Sequence, residues 1–220
     1  MEITDWYKQI KGSGMKRDKS FKNHRIEPCS MVMLIGASGS GKSTALIDFI
    51  YRAPKFTEIH LFSGSGNAST EPLYKLLLEK IPEVKTYDTV EEIPDLETFD
   101  KESEKLIIFD DWLQLTPKQM KKLAQFATAG RKSGFTCIYQ SQNYTSVPKV
   151  ISRNIHYFWL FHINDARSVE TICKNHNAFN ITQQQFKDLH RVITSEPRNF
   201  LMVDLRGNEL RKNFLQKIVT

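Results

Sequence analysis

Met31-Val32-Met33-Leu34-Ile35 runs directly into Gly36-Ala37-Ser38-Gly39-Ser40-Gly41-Lys42-Ser43-Thr44, and this junction decides the fold. A short, wholly apolar run reads as a buried strand, and GxxxxGK[ST] is the phosphate-binding loop that joins such a strand to a helix. The glycines let the loop wrap an anion with backbone N–H groups, which needs positive φ and a closeness that a Cβ forbids. Lys42 is placed to reach the β- and γ-phosphates and Ser43 to offer its hydroxyl to Mg²⁺. A helix from about Lys42 aims the positive end of its dipole at the same charge. Gly36, Ala37, Ser38, Gly39, Ser40, Gly41, Lys42, Ser43 and Thr44 are therefore the expected binding set for a nucleoside triphosphate. A Gly/Ser-rich turn without a ligand is the bland alternative, and the strand ahead of the loop argues against it.

The rest of the composition sets bounds. At 220 residues and 40% apolar content the chain can build one full α/β core but not two large domains. No apolar run approaches the ~20 residues of a membrane span, and Met1-Glu2-Ile3-Thr4-Asp5-Trp6 lacks the basic start and apolar block of a signal peptide. A soluble, intracellular-type protein with no membrane partner is expected. Cys29, Cys137 and Cys173 are scattered and odd in number, which predicts reduced thiols. The histidines show no ligand spacing, and His60, His156 and His162 lie in or beside apolar runs, where packing explains them.

The formal net charge of +6 admits a nucleic-acid partner and equally a solvated basic surface. Lys8, Lys11, Lys16, Arg17, Lys19, Lys22 and Arg25 precede the first strand, with Gly12-Ser13-Gly14 among them, so residues 1–27 read as a basic, mobile arm and 28–220 as the folded domain. Arg206, Arg211, Lys212 and Lys217 form a second cluster near the other end.

Along the chain, strand and helix patterns alternate as in a mainly parallel sheet covered by helices on both faces. A helix is predicted through Ala45–Ile50, a strand at Glu58–Ser63, a helix at Leu73–Leu78 after the Gly64-Ser65-Gly66-Asn67 break, and a strand at Lys105–Phe109. Thr116 and Pro117 have the chemistry of a helix start, with the helix running to Ala129 and closed by Gly130. Strands follow at Phe135–Tyr139 and Tyr157–Phe161, then helices over about Ala166–Asn175 and Thr182–Arg191. Phe200–Leu205, Gly207-Asn208 and Glu209-Leu210 predict a closing hairpin.

The strand at Lys105–Phe109 ends on Asp110-Asp111, delivering carboxylates to the carboxyl edge of the sheet, where a phosphate bound by the loop would lie. Asp110 is the candidate for the Mg²⁺ shell and Asp111 for polarising the attacking water. Gln142, just past the end of the next strand, can hydrogen-bond the γ-phosphate or that water. Arg131, in the turn Gly130-Arg131-Lys132-Ser133-Gly134, can project a guanidinium toward a neighbouring subunit. A surface arginine at a helix end is the plain alternative.

The ordered set GASGSGKST, LIIFDDW and GRKSGFTCIYQSQ resembles the additional-strand P-loop ATPases of the FtsK/HerA superfamily, and is most similar to the poxvirus-type genome-packaging ATPases of large DNA viruses and their virophage and transposon relatives. Asn143-Tyr144, Pro148, Arg153-Asn154, Leu201–Leu205 and Leu210–Phe214 extend the resemblance over about residues 28–214. It implies a three-layer α/β domain with a C-terminal β-hairpin, and a homo-oligomeric ring, pentameric or hexameric, that threads double-stranded DNA into a capsid using Mg-ATP. Capsid vertex proteins are implied as partners, with host cytoplasm, viral factory or virion as the location. Lys42 and Ser43 match the family's loop residues, Asp110 its metal-coordinating Asp, Asp111 its catalytic carboxylate, Gln142 its sensor and Arg131 its arginine finger. Arg153 is a second trans-acting candidate. The broader superfamily often has Glu where this chain has Asp111. Two other functions are compatible with the loop: a small nucleoside or nucleotide kinase, for which no compact arginine-rich lid is visible, and a nucleotide-gated assembly module without catalysis. Gly64 to Thr70 and the basic arm are, by elimination, the candidate pore or docking segments.

Overall fold

A computed structural model gives the structure of residues 17–53, 56–66, 70–176 and 181–218. β1 (Met31–Ile35) occupies the middle of a nine-stranded sheet, between β5 (Phe135–Ser141) and β6 (Tyr157–Leu160). Beyond β5 come β4 (Lys105–Asp110), β2 (Glu58–Ser63) and the short edge strand β3 (Lys85–Tyr87), all parallel. β5 thus separates the strand that feeds the phosphate loop from the strand that ends in the paired aspartates, which is the additional-strand arrangement. On the other flank β7 (Leu201–Asp204), β8 (Glu209–Lys212) and β9 (Gln216–Ile218) continue the sheet antiparallel.

The wholly apolar β1 is explained by burial from both sides. Met31, Met33 and Ile35 pack with Leu123 and Phe126 of α4 (Pro117–Ala129), Ile172 of α6 (Ala166–Asn175) and Phe186 of α7 (Gln183–Thr194). Val32 and Leu34 pack with Leu46 and Phe49 of α2 (Lys42–Arg52) and with Leu77 of α3 (Pro72–Lys80). Each such aliphatic or aromatic side chain contributes roughly 1.5–3 kcal/mol on burial, so these two layers fix which edge of the sheet carries the loop.

The caps that sequence predicts are present where chemistry asks for them. Thr116 accepts from Gln119 N while Gln119 reaches back to Thr116 N, and Pro117 opens α4. Gly130, however, does not close α4 with a left-handed turn. It stays helical and starts a 3₁₀ turn through Ser133, and Gly134 at φ 78 makes the reversal. A Cβ at Gly130 would stand 3.1 Å from Cys137 Sγ, so the glycine there serves packing.

The last helix extends past Arg191 to Thr194, and the C-terminal hairpin gains the third strand β9. Of the histidines, His60 is fully buried, bonded to Tyr87 Oη at 2.8 Å, and His156 Nδ1 accepts from Met31 N at 3.0 Å. His162 is exposed, contrary to the packing expectation, because β6 ends at Leu160 and the residue lies beyond the strand. All three cysteines are buried, and none forms a disulfide among the described residues. From Arg17 on, the segment assigned to the basic arm is packed: α1 (Phe21–His24) sets His24 edge-on to Phe49, Ile26 is buried, and Glu27 N donates to Tyr157 Oη. Lys8, Lys11, Lys16 and Gly12-Ser13-Gly14 lie outside the described residues, as do residues 67–69 of the candidate pore segment. No helix among the described residues is long and apolar enough to cross a membrane.

Candidate nucleotide site

The phosphate loop leaves β1 pinned on both sides: Gly36 N donates to Ser141 O at 3.2 Å and Ala37 N to His162 O at 2.9 Å. Gly41 caps α2 at φ 104, and a Cβ on it would stand 3.0 Å from Arg198 Cα. Both facts require glycine here. Lys42 Nζ folds over the loop and donates to Gly36 O at 2.7 Å and Ala37 O at 2.9 Å. Burial lowers the pKa of its ammonium, while the charges of Asp110 and Asp111 work to hold it up. Ser40 Oγ is buried without a hydrogen-bond partner among the described residues, so the cradle holds unused polar capacity.

The two aspartates part company at the end of β4. Asp110 is mostly buried, which raises its carboxyl pKa, and Tyr74 Oη of α3 opposes this by donating to Asp110 Oδ2 at 2.6 Å. Gln140 Nε2 donates to the same Tyr74 oxygen at 2.7 Å, tying the ends of β4 and β5 together. Gln140 Oε1 is buried without a partner among the described residues. Asp111 is exposed and left-handed at φ 49, an unusual backbone for a residue other than glycine. Its carbonyl abuts Gly64: a Cβ there would stand 2.2 Å from Asp111 O, so the ends of β2 and β4 meet only because Gly64 has none.

A cavity of about 470 Å³ joins these groups. Lys42, Ser43, Thr44, Asp110, Asp111 and Gln142 line it, as the sequence predicts, together with Gln140, Glu71 and Arg198, which the sequence reading missed. Ser43 and Asp110 supply hard oxygen ligands that suit Mg²⁺ beside a phosphate. Glu71 is also the N-cap of α3, accepting from Tyr74 N at 2.8 Å. Tyr74 reads in sequence as one more core aromatic and Arg198 as one more turn cation, so only the fold reveals them.

Arg131 is not in this cavity. It lies on the 3₁₀ turn ahead of β5, at the amino edge of the sheet, where its charge acts on Cys29, His156 and Arg206. Burial holds the Cys29 thiol up at about 11 and the His156 imidazole down at about 4. Arg153, ahead of β6, is exposed, also before the start of a parallel strand. The sequence-predicted set therefore divides between the two edges of one sheet.

A family model described as Poxvirus A32 protein matches residues 18–203. No curated protein is similar enough in sequence to match. Among solved structures, the DNA-packaging ATPase B204 from Sulfolobus turreted icosahedral virus superposes with a TM-score of 0.57 at 14% identity, over 86% of this chain and 99% of that one. The genome packaging NTPase B204 from Sulfolobus turreted icosahedral virus 2, in complex with AMPPCP, gives 0.58 at 15% identity over 84% and 97%. EssC ATPases 2 and 3 from Geobacillus thermodenitrificans give 0.57 at 13% identity over 86% and 40%. These likenesses are of fold.

Proposed function

The chain belongs to the poxvirus A32 protein family, and from that premise we propose that it is an ATP-driven translocase of double-stranded DNA that packages a viral genome into a capsid. Hydrolysis takes place at the subunit interfaces of a pentameric or hexameric ring. One observation carries this reading: phosphate loop, paired aspartates and Gln142 converge on one cavity, while Arg131 lies outside it, on the turn before β5 at the opposite sheet edge, which supports a role on a neighbour's site instead of its own. The B204 proteins of similar fold are described as packaging enzymes, one of them in complex with a non-hydrolysable ATP analogue, which supports the same chemistry here.

In this reading Lys42 exchanges its bonds to Gly36 O and Ala37 O for the β- and γ-phosphate oxygens, so the loop carbonyls act as its parking position. Ser43 and Asp110 would hold Mg²⁺, which when bound neutralises charge on the β- and γ-phosphates. Asp111, exposed at the cavity wall, orients a water for in-line attack and accepts its proton, while Gln142 fixes the same water or the γ-phosphate. Arg131 of an adjacent subunit stabilises charge at the transferred phosphoryl group. Capsid vertex proteins are the other partners, and the host cytoplasm, a viral factory or the virion is the site of action.

ATP turnover measured with and without double-stranded DNA tests the proposal. Strong stimulation by DNA is expected. Turnover indifferent to DNA, with phosphoryl transfer to an added nucleoside, overturns it in favour of a kinase.

A further inference from the structure

The turn between α7 and β7 carries a residue that no motif points to. Arg198 has φ 69, a left-handed backbone that side-chain-bearing residues hold only where the surroundings impose it and that recurs at ligand sites. Those surroundings are visible on two sides. A Cβ at Gly41 would stand 3.0 Å from Arg198 Cα and 3.3 Å from its Cγ, so the turn is seated on the phosphate loop. Behind it, Asn213 Nδ2 donates to Asn199 Oδ1 at 2.8 Å, Phe200 N donates to Asn213 Oδ1 at 3.0 Å, and Lys212 pairs with Glu196 at 2.9 Å, staking the turn to the C-terminal hairpin. The exposed Arg198 side chain itself makes no hydrogen bond or ion pair among the described residues.

Arg198 lines two cavities at once. One is the phosphate cavity; the other is a groove of about 510 Å³ between α2 and the hairpin, bordered by Asp48, Phe200, Asn213 and Phe214. Thr44 and Arg198 are the residues the two share. In a loop of this type the Lys takes the β- and γ-phosphates and the next hydroxyl the metal, so the wall beyond Ser43 faces the far end of the phosphate chain. A planar cation with all its N–H donors unused suits a phosphate oxygen there.

We propose that Arg198 binds the nucleotide in cis at its α-phosphate, with the nucleoside directed into the groove between α2 and the C-terminal hairpin. This rests on reading the cavity as a nucleotide site. The strained backbone is retained because glycine, which the angle favours, would supply no guanidinium.

The test is calorimetric binding of AMP, ADP and ATP to the wild-type chain, Arg198→Ala and Arg198→Gly, with melting curves for each. The α-phosphate is common to all three ligands, so both variants should lose affinity for all three by a similar factor, ~10-fold or more for a charge-assisted contact. Arg198→Gly relaxes the backbone and should melt at or above the wild-type temperature while binding as weakly as Arg198→Ala, which a purely structural role could not produce. Loss confined to ATP, or no loss, overturns this assignment alone. A wild-type chain that binds none of the three overturns the nucleotide reading together with it.

Discussion

Tyr74 Oη holds Asp110 Oδ2 at 2.6 Å, so the carboxylate assigned to the metal is oriented by a helix that follows the Gly64–Thr70 segment. Burial raises the Tyr74 pKa well above its ordinary value, and the hydroxyl therefore remains a donor at any working pH. Tyr74→Phe keeps the ring and removes the hydroxyl, leaving Asp110 and Gln140 each short of a partner. Unfolding free energy should fall by ~1–3 kcal/mol, and half-maximal ATP turnover should require more Mg²⁺. Denaturant titration and a Mg²⁺ series check the two effects, and an unchanged Mg²⁺ requirement would show that Tyr74 is only a packing residue.

Lys42→Ala should abolish hydrolysis and weaken nucleotide binding while the fold persists, because among the described residues the ammonium bonds only to the loop carbonyls of Gly36 and Ala37 and its loss exposes no apolar core. Circular dichroism and turnover measured on the same preparation decide this. A variant with wild-type turnover removes the loop from the mechanism.

The two aspartates should separate in their effects because their settings differ. Asp111→Asn should still bind Mg-ATP yet turn it over ~10²–10⁴ times more slowly, the range of general-base assistance. Asp110→Asn should act through metal dependence. Full activity in Asp111→Asn rules out the role given to it.

Arg131→Ala should leave ATP binding nearly intact and lower turnover ~10³-fold or more, as loss of an arginine finger does. Mixing it with Lys42→Ala subunits should restore some hydrolysis, since an intact loop on one subunit can then meet an intact Arg131 on the next. If rings shown to be mixed give no recovery, Arg131 is not the finger, and Arg153 is next for the same cycle.

Acid should destabilise the fold before most carboxylates titrate. Burial pushes His24, His60 and His156 down to about 4 from an ordinary 6.5. Between those values the unfolded chain binds protons that the folded chain refuses, so stability is fully present above pH 6.5 and is lost as pH falls toward 4. Each proton steepens the decline by at most about 1.4 kcal/mol per pH unit. Melting curves from pH 7.5 to 4.5 should show the fall, and His60→Gln, which cannot titrate, should make it shallower. An identical slope in the variant would mean that His60 is charged inside the fold.

What could be read from the sequence was whatever local chemistry dictates. Met31–Ile35 followed by the glycine-rich loop, Thr116-Pro117 at a helix start, and an apolar strand ending in Asp110-Asp111 each carry their own structural instruction, and the fold follows them. β3 was invisible because Lys85-Thr86-Tyr87 is short and largely exposed, an edge strand that only its neighbour defines. Tyr74, Gln140 and Arg198 were invisible for a different reason. Their roles depend on strand order and on a positive φ, and neither has a pattern along the chain. Residues 17–27 looked like a free arm because charge dominates their composition, yet His24 and Ile26 suffice to anchor them.

β5 enters from the Arg131 turn at one edge and leaves at Gln140 and Gln142 beside the cavity at the other, with every residue of the strand buried. At ~3.3 Å per residue such a strand spans about 20 Å, and a close-packed interior barely compresses. It is therefore a strut. A displacement at the cavity edge is therefore carried to the Arg131 edge instead of being absorbed between them, so in the ring proposed above the two edges of a domain would move together.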